Sequence, residues 1–523
     1  MRESRRAFLL TGAMALLLPR APGLAEAAAP ISVRDHGARG DRKTKDTRAI
    51  QAAIDNAATS GRTVNFPPGN YLSGTLHLRD LTTLQFDAGA ILVASPDDRD
   101  FDPPEQLGYE TFADDETSDH SFALIKGRDV KQIRLIGPGW IDGNRRKREG
   151  PKPIALKRCQ EIDIRDLTIT NAGNYTVALL GCRRVNIQDV VILNGYSDGI
   201  DPDCCQDVRI VRCHIESRDD ALCLKASFAL GAHRATENVR VSGCHLTTFH
   251  NGIKLGTEST GDFRDITISD CTVVGERHPW KGDMTSGLSL EAVDGGVLEG
   301  VTVVKIRMTN ARAPIFVRLA RRGRGQRVPR PGLLKNVTIR DVQATGARAA
   351  SSITSVTGAS VETVTLQNIK VAVRDGGVGS VTLQVPEFAS RYPDATMFRE
   401  LPAYGLYGRH VAGLRVEDVD FSIDEADARS AVVLDNVKDA RLRGIRAMAP
   451  FEERPLVWLN AVRDAELREL DPRGGRIIAR LSGSSTTRIR VARREAELGT
   501  VVDPDVSPAA LQVESGRVAL ERR

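Results

Sequence analysis

The sequence predicts an all-β chain: a single-stranded, right-handed parallel β-helix of about ten or more coils, closed at its start by a helix. Three observations predict it. An apolar template, apolar-x-apolar-x-x-apolar-x-apolar, recurs ten times between Ile162 and Ala447. Each copy alternates inside and outside with the period of a strand rather than that of a helix. A unit this short cannot bury its apolar face alone, so repetition every 23 to 50 residues requires stacking on neighbours along one axis. A Greek-key sandwich also uses many short strands, but it would not hold one four-position template in a fixed frame.

Composition bounds the function. The chain has 523 residues, 41% of them hydrophobic, enough for a large core. A formal charge of +5 is small and scattered, which excludes nucleic acid as a partner. After the first 20 residues no apolar run reaches the length needed to cross a bilayer, so no membrane span is expected. The chain is expected to act as a monomer.

The elements follow in order. Arg5-Arg6 precedes the apolar stretch Ala7 to Leu18 and the small-residue site Ala25-Glu26-Ala27. Residues 1–27 thus resemble a Tat-type export signal, which implies a periplasmic or extracellular destination. Residues 28–475 form the β-helix catalytic domain, and 476–523, where the template fades, a C-terminal cap or tail. An amphipathic helix over Arg48 to Ala58, with Asp46 or Thr47 as N-cap, covers the open end of the stack. Ahead of it lies Asp35-His36-Gly37-Ala38, after it Phe66-Pro67-Pro68-Gly69-Asn70-Tyr71, and further on Gly137-Pro138-Gly139-Trp140-Ile141-Asp142-Gly143. These segments resemble the entrance and a turn of the pectate-lyase-like β-helix superfamily.

The template copies begin at Ile162, Val185, Val208, Val239, Ile266, Val301, Val337, Val364, Leu414 and Ala440. Each reads as two short strands with a bend at the x-x pair. Cys159, Cys182 and Cys205 lie three residues before a first position, and Cys213, Cys244 and Cys271 occupy third positions. Both sets are expected as interior ladders of small apolar side chains; the stacking distance also permits disulfides. No zinc-type spacing accompanies them, so no metal or other cofactor is expected.

Polar loop residues share the same frame. Asp198 lies 13 residues beyond Val185, Asp219 and Asp220 lie 11 and 12 beyond Val208, and His250 lies 11 beyond Val239. Three successive coils therefore bring them to one angular position, within about two coil spacings, ~10 Å. Carboxylates this close cannot all ionise cheaply, so one pKa should rise. One protonated and one ionised carboxyl are what glycosidic cleavage needs. The alternative is that Ser-Asp-Gly and Arg-Asp-Asp are turns with solvated charges.

Ser197-Asp198-Gly199-Ile200-Asp201 resembles the NTDGID motif of glycoside hydrolase family 28, the polygalacturonase family. Asp219-Asp220 resembles its GDD, and His250-Asn251-Gly252 through Gly256-Thr257-Glu258 its HGxxxGSE. The resemblance runs from about residue 30 to about residue 425. It implies inverting hydrolysis of a pectin-type polysaccharide or oligosaccharide: Asp219 as general acid, Asp198 with Asp220 holding and deprotonating water, and His250 tuning the acid or orienting substrate. The family's carboxylate-gripping Arg and Lys are replaced by Ser289 and Glu291 in Gly287-Leu288-Ser289-Leu290-Glu291. A glutamate facing a uronate would repel it. Lys254 or Arg318 is then a candidate for the missing cation, and a neutral sugar such as rhamnose is the other solution. Arg218, where the family has Gly, is expected to narrow the cleft.

Two other functions remain open to the sequence. Asp198, Asp201 and Asp203 can be read as a calcium site, which in a β-helix suggests a Ca²⁺-dependent polysaccharide lyase with Lys225 or Lys254 as base. A non-catalytic carbohydrate-binding β-helix is the third. The basic loop Arg321 to Arg327 either attracts an acidic polysaccharide by its field or is simply solvated. The tyrosines of the long step, Tyr392, Tyr404 and Tyr407, either stack on sugars or pack against the wall.

Overall fold

The structure, a computed structural model, describes residues 29–278, 282–374, 376–377, 381–425, 427–448 and 453–514. The export signal expected at residues 1–27 lies outside the described residues, as do 515–523 of the C-terminal segment. Successive strands pair parallel with the strand one turn later, so the hydrogen bonds run along the stack. One coil is Val177–Leu180, Arg183–Gln188 and Val191–Gly195; the next is Ile200–Asp203, Gln206–Val211 and His214–Ser217. We call the face carrying Val177–Leu180 and Ile200–Asp203 the site face.

The template sets the register. Ile162 pairs with Val185, Val185 with Val208, Val208 with Val239, Val239 with Ile266 and Ile266 with Val301. The series continues through Val337, Val364 and Leu414 to Ala440. All of these side chains are buried in one continuous core, each worth about 1.5–3 kcal/mol for a fully buried Val, Leu or Ile. The chain turns by a local device. In every template copy the residue before the third position has left-handed φ: Asp166, Asp189, Arg212, Gly243, Asp270, Lys305, Asp341, Asn368, Asp418 and Gly444. Asp, Asn and Gly dominate because they tolerate this region best.

The stack also outlasts the template. Ala440 pairs with Ala465, Ala465 with Ile489 and Ile489 with Leu511. The described part of 476–523 therefore continues the coils, where the sequence suggests a cap. At the other end the helix Thr47–Ser60 lays Ile50, Ala53, Ile54 and Ala57 onto the first turns. Asp46 precedes it but does not cap it with its side chain. Its carboxylate accepts from the Arg39 and Gly40 amides at 2.8 and 2.9 Å, holding the preceding turn. Among the described residues, no helix is long and apolar enough to cross a membrane.

All eight cysteines are buried free thiols. Cys159, Cys182 and Cys205 touch in series inside the stack, as do Cys213, Cys244 and Cys271.

Candidate active site

Asp198, Asp219, Asp220 and His250 each stand at the mouth of a site-face strand, on three successive coils. Two glycines allow the coils to close up there. A Cβ on Gly199 would lie 2.3 Å from the Ala221 carbonyl oxygen, and one on Gly252 2.3 Å from Val273 Cγ1. With glycine at both positions, the Gly199 amide donates to the Asp220 carbonyl at 2.9 Å, and the Ala221 amide to the Asn251 carbonyl at 2.9 Å.

The side chains converge. The Asp220 amide donates to Asp198 Oδ1 at 3.2 Å. His250 Nδ1 lies 2.9 Å from Asp220 Oδ1 and 3.3 Å from Asp219 Oδ1. Asn251 Nδ2 donates to Asp220 Oδ1 at 2.6 Å and Lys254 Nζ to its Oδ2 at 2.9 Å. Lys225 Nζ donates to Asp198 Oδ2 at 3.0 Å and also to Asp201. The exposure of the three carboxylates differs: the side chain of Asp219 is 22% exposed, against 5% for Asp198 and 4% for Asp220. Asp219 is the carboxylate most open to solvent.

The electrostatics separate the carboxyls. Burial pushes Asp198 well above the usual carboxylate range, with Asp201, Asp219 and Asp220 adding to the rise against the pull of Lys225. Burial acts the same way on Asp220, but Lys254 and His250 overcome it and hold that carboxyl well below the usual range. Burial disfavours a charged His250, yet its bonds to Asp220 and Asp394 and the nearby negative charge lift it to about 10. The expected rise of one pKa thus falls on Asp198.

Lys225 and Lys254 are buried ammoniums whose acid partners outweigh burial and hold them above the ordinary lysine value. Neither is poised to abstract a proton. Lys225 also occupies the space between Asp198 and Asp201, while Asp203 is engaged by the Ser227 amide at 2.8 Å and by its hydroxyl at 2.5 Å. The three aspartates expected as a calcium site therefore do not face one common cation position. Two tighter donor sets, Asp198–Asp220–Cys223 and Asp219–Asp220–His250, each lie within 4.8 Å and are dimensioned for an ion. The ammoniums already neutralise carboxylates in both.

The expected substrate cations are placed differently. Arg318 is fully buried and donates to Thr354 Oγ1 at 3.3 Å and to the Ser355 and Glu387 carbonyls. It is not in the cleft, because segment 381–402 folds over it. Glu291 is also buried and accepts from Ser289 Oγ at 2.6 Å. Lys254 is at the site but committed to Asp220. Arg218 stacks on Tyr196 at 4.1 Å. Tyr404 and Tyr407 pack in the wall, whereas Tyr392 accepts a bond from Lys254 at 3.0 Å.

Sequence reasoning missed three residues and weighed a fourth, Tyr392, only as a ring that stacks on sugar or packs on the wall. Arg148, 45% exposed, pairs with both Asp219 and Glu116. Glu116 Oε1 accepts from Ser197 Oγ at 3.1 Å. Asp394 Oδ2 lies 3.5 Å from His250 Nε2, and Tyr392 completes the set. All four come from segments outside the template, where the signal was length and, for Tyr392, aromatic content. A cleft of about 520 Å³ beside Arg148 and Glu116 is lined by these two, Lys152 and Asn174 among others.

The chain is similar to several known proteins. It is 27% identical over 268 residues to "Probable polygalacturonase" of Vitis vinifera, a match covering 46% of this chain and 54% of that one. It is 23% identical over 303 residues to "Endo-polygalacturonase" of Pectobacterium carotovorum subsp. carotovorum, covering 52% and 71%. The match thus spans about half the length of the first of these relatives. Among solved structures, the exopolygalacturonase of Thermotoga maritima aligns with TM-score 0.56 at 17% identity, over 66% of this chain and 87% of its own. The family 28 exopolygalacturonase of Yersinia enterocolitica aligns with TM-score 0.56 at 18% identity, over 85% and 80%. At such identities the likeness is one of fold, the right-handed parallel β-helix. Residues 30–95 match a model described as "Rhamnogalacturonase A/epimerase, pectate lyase-like". The catalytic coils and the two segments around them fall within residues 106–389, or just beyond, and that stretch, more than half of the chain, matches the model of "Glycosyl hydrolases family 28": the chain belongs to that family.

Proposed function

We propose that this chain is an exported glycoside hydrolase that cleaves an acidic, pectin-type polysaccharide or its oligosaccharides with inversion. One observation carries the reading: three carboxylates and a histidine from successive coils meet around one point, with Asp219 the most exposed of the three carboxylates. A leaving glycosidic oxygen needs an acid it can reach, and Asp219 is that group. Asp220, kept ionised by Lys254 and His250, is the base for water, and Asp198 shares the hold on that water.

Arg148 supports an acidic substrate. Its guanidinium is half in solvent and pairs with Asp219 and Glu116, so a uronate carboxylate can take the place of Asp219 there and leave Asp219 free to donate. With Glu291 buried and bonded to Ser289, the repulsion expected from the sequence does not operate in the cleft. The domain proposed starts at 28 and continues past 475 into the later coils, and a Tat-type leader at 1–27 releases it as a monomer into the periplasm or beyond. The test is incubation with polygalacturonan, rhamnogalacturonan and their oligomers, with products weighed by mass. Saturated products with new reducing ends support the reading; unsaturated products favour a lyase, and none at all a binding protein.

A further inference from the structure

We propose, on the strength of that hydrolase reading, that the enzyme attacks sugar chains from an end, because the cleft is a blind pocket. The site face is covered on both sides of the catalytic coils. On the side of earlier coils, segment 101–122 lies over the sheet. Lys157 Nζ donates to Glu105 Oε1 at 2.7 Å and to Tyr109 OH at 3.0 Å; Lys152 Nζ donates to the Glu116 carbonyl at 2.6 Å; and Glu116 reaches Ser197 and Arg148. On the side of later coils, segment 381–402 is seated through Arg318 on the Glu387 carbonyl, Arg409 on the Pro386 carbonyl at 3.2 Å, and Phe388, Phe398 and Leu401 packed with Phe316 and Tyr407. Its tip brings Tyr392 to Lys254 and Asp394 to His250.

The two covers are joined along the far edge of the sheet by the loop around Arg324. Arg324 Nη1 lies 3.3 Å from Asp114 and 3.1 Å from Glu258, and the Arg321 amide donates to the Ala389 carbonyl at 2.9 Å. Tyr109 OH donates to the Ala229 carbonyl at 2.9 Å and Thr111 Oγ1 to that of Phe228 at 3.0 Å. The basic loop that the sequence left between steering and solvation is thus a tie.

Between the Glu116–Ser197 contact and the Asp394–His250 contact lie two coil steps, about 10 Å. Asp394 and Tyr392 wall off the later-coil end at His250 and Lys254, while the cleft continues past Glu116 along Lys152 and Asn174 toward the earlier coils. A polysaccharide cut internally must run on past the scissile bond in both directions; here the way past His250 is closed. The occupant that fits is a chain terminus or a short oligosaccharide.

The experiment follows reducing ends and viscosity together on polygalacturonan, with product sizes read from the first time points, and repeats the digestion on oligomers tagged at the reducing end. Accumulating reducing ends with viscosity nearly unchanged, and a single mono- or disaccharide from the start, is the expected result. Turnover of oligomers with none of the polymer also supports the pocket. An early collapse of viscosity with a ladder of intermediate oligomers overturns it while leaving the hydrolase reading intact. No new reducing ends from any of these glycans overturns the hydrolase reading itself, and this inference with it.

Discussion

Replacing Lys254 with Met removes the ammonium 2.9 Å from Asp220 Oδ2. Lys254 is the strongest of the groups that hold Asp220 below the ordinary carboxylate range against burial. An opposite charge at such a distance lowers a carboxyl by about 1–3 units, so its loss raises Asp220 by that amount, worth about 1.4–4 kcal/mol. The base works ionised. In the natural enzyme its activity therefore persists as pH falls below the usual carboxylate pKa; in Lys254→Met the acid limb of the kcat/KM profile moves up by about 1–3 pH units. Above that limb, turnover returns to within about tenfold of the original, since a single oriented charge is lost rather than the base itself. Breaking a buried pair also costs about 3–5 kcal/mol of stability, so the profile is measured well below the variant's Tm. Lys254→Arg retains a cation and brings the limb back toward its original place. An acid limb in Lys254→Met that coincides with that of the natural enzyme refutes the assignment of Asp220 as the ionised base.

Asp219→Asn removes the acid and should cut kcat by about 10²–10⁴-fold, with oligosaccharide binding and Tm little changed; substantial turnover by this variant would dismiss Asp219 as the donor. His250 titrates near 10 when folded against an ordinary 6.5, so its proton stabilises the fold fully below about 6.5 and the benefit is lost as pH climbs through about 10. The Tm difference between the natural chain and His250→Gln should narrow across that window, and a constant difference would show that the ring is not held as a cation. Arg148→Gln should raise KM for acidic oligomers more than it lowers kcat, and leave binding of their methyl esters unaffected; equal losses on both substrates would remove its role as the uronate partner. Gly199→Ala places a methyl 2.3 Å from a carbonyl oxygen, so both Tm and kcat should drop, the latter because Asp198 and Asp220 are pried apart. Unchanged kinetics would mean the coil spacing there does not govern the site.

The ladder from Ile162 to Ala440 was legible because each copy repeats a burial requirement in a fixed frame, and the structure pairs those residues one on the next. The cluster was legible for the same reason: offsets of 11 to 13 residues from a ladder position fix an angle around the axis. Arg148, Glu116, Tyr392 and Asp394 had no such offset. They belong to segments that leave the repeat and return, and where such a segment lands depends on tertiary contacts that no local pattern encodes. Arg318 and Glu291 failed in the opposite way. Their outward direction follows from alternation along the strand, but whether outward means solvent depends on segment 381–402, which covers Arg318 from more than sixty residues away.

The left-handed residues at the template bend have a consequence for redesign. Because one residue makes that corner in every copy, from Asp166 to Gly444, an inserted amino acid there would break the register of all later rungs. The opposite side of each turn carries loops of widely different length at no such risk. Changes of specificity can therefore be grafted onto that side by trimming or swapping loops, while the scaffold beneath is left untouched.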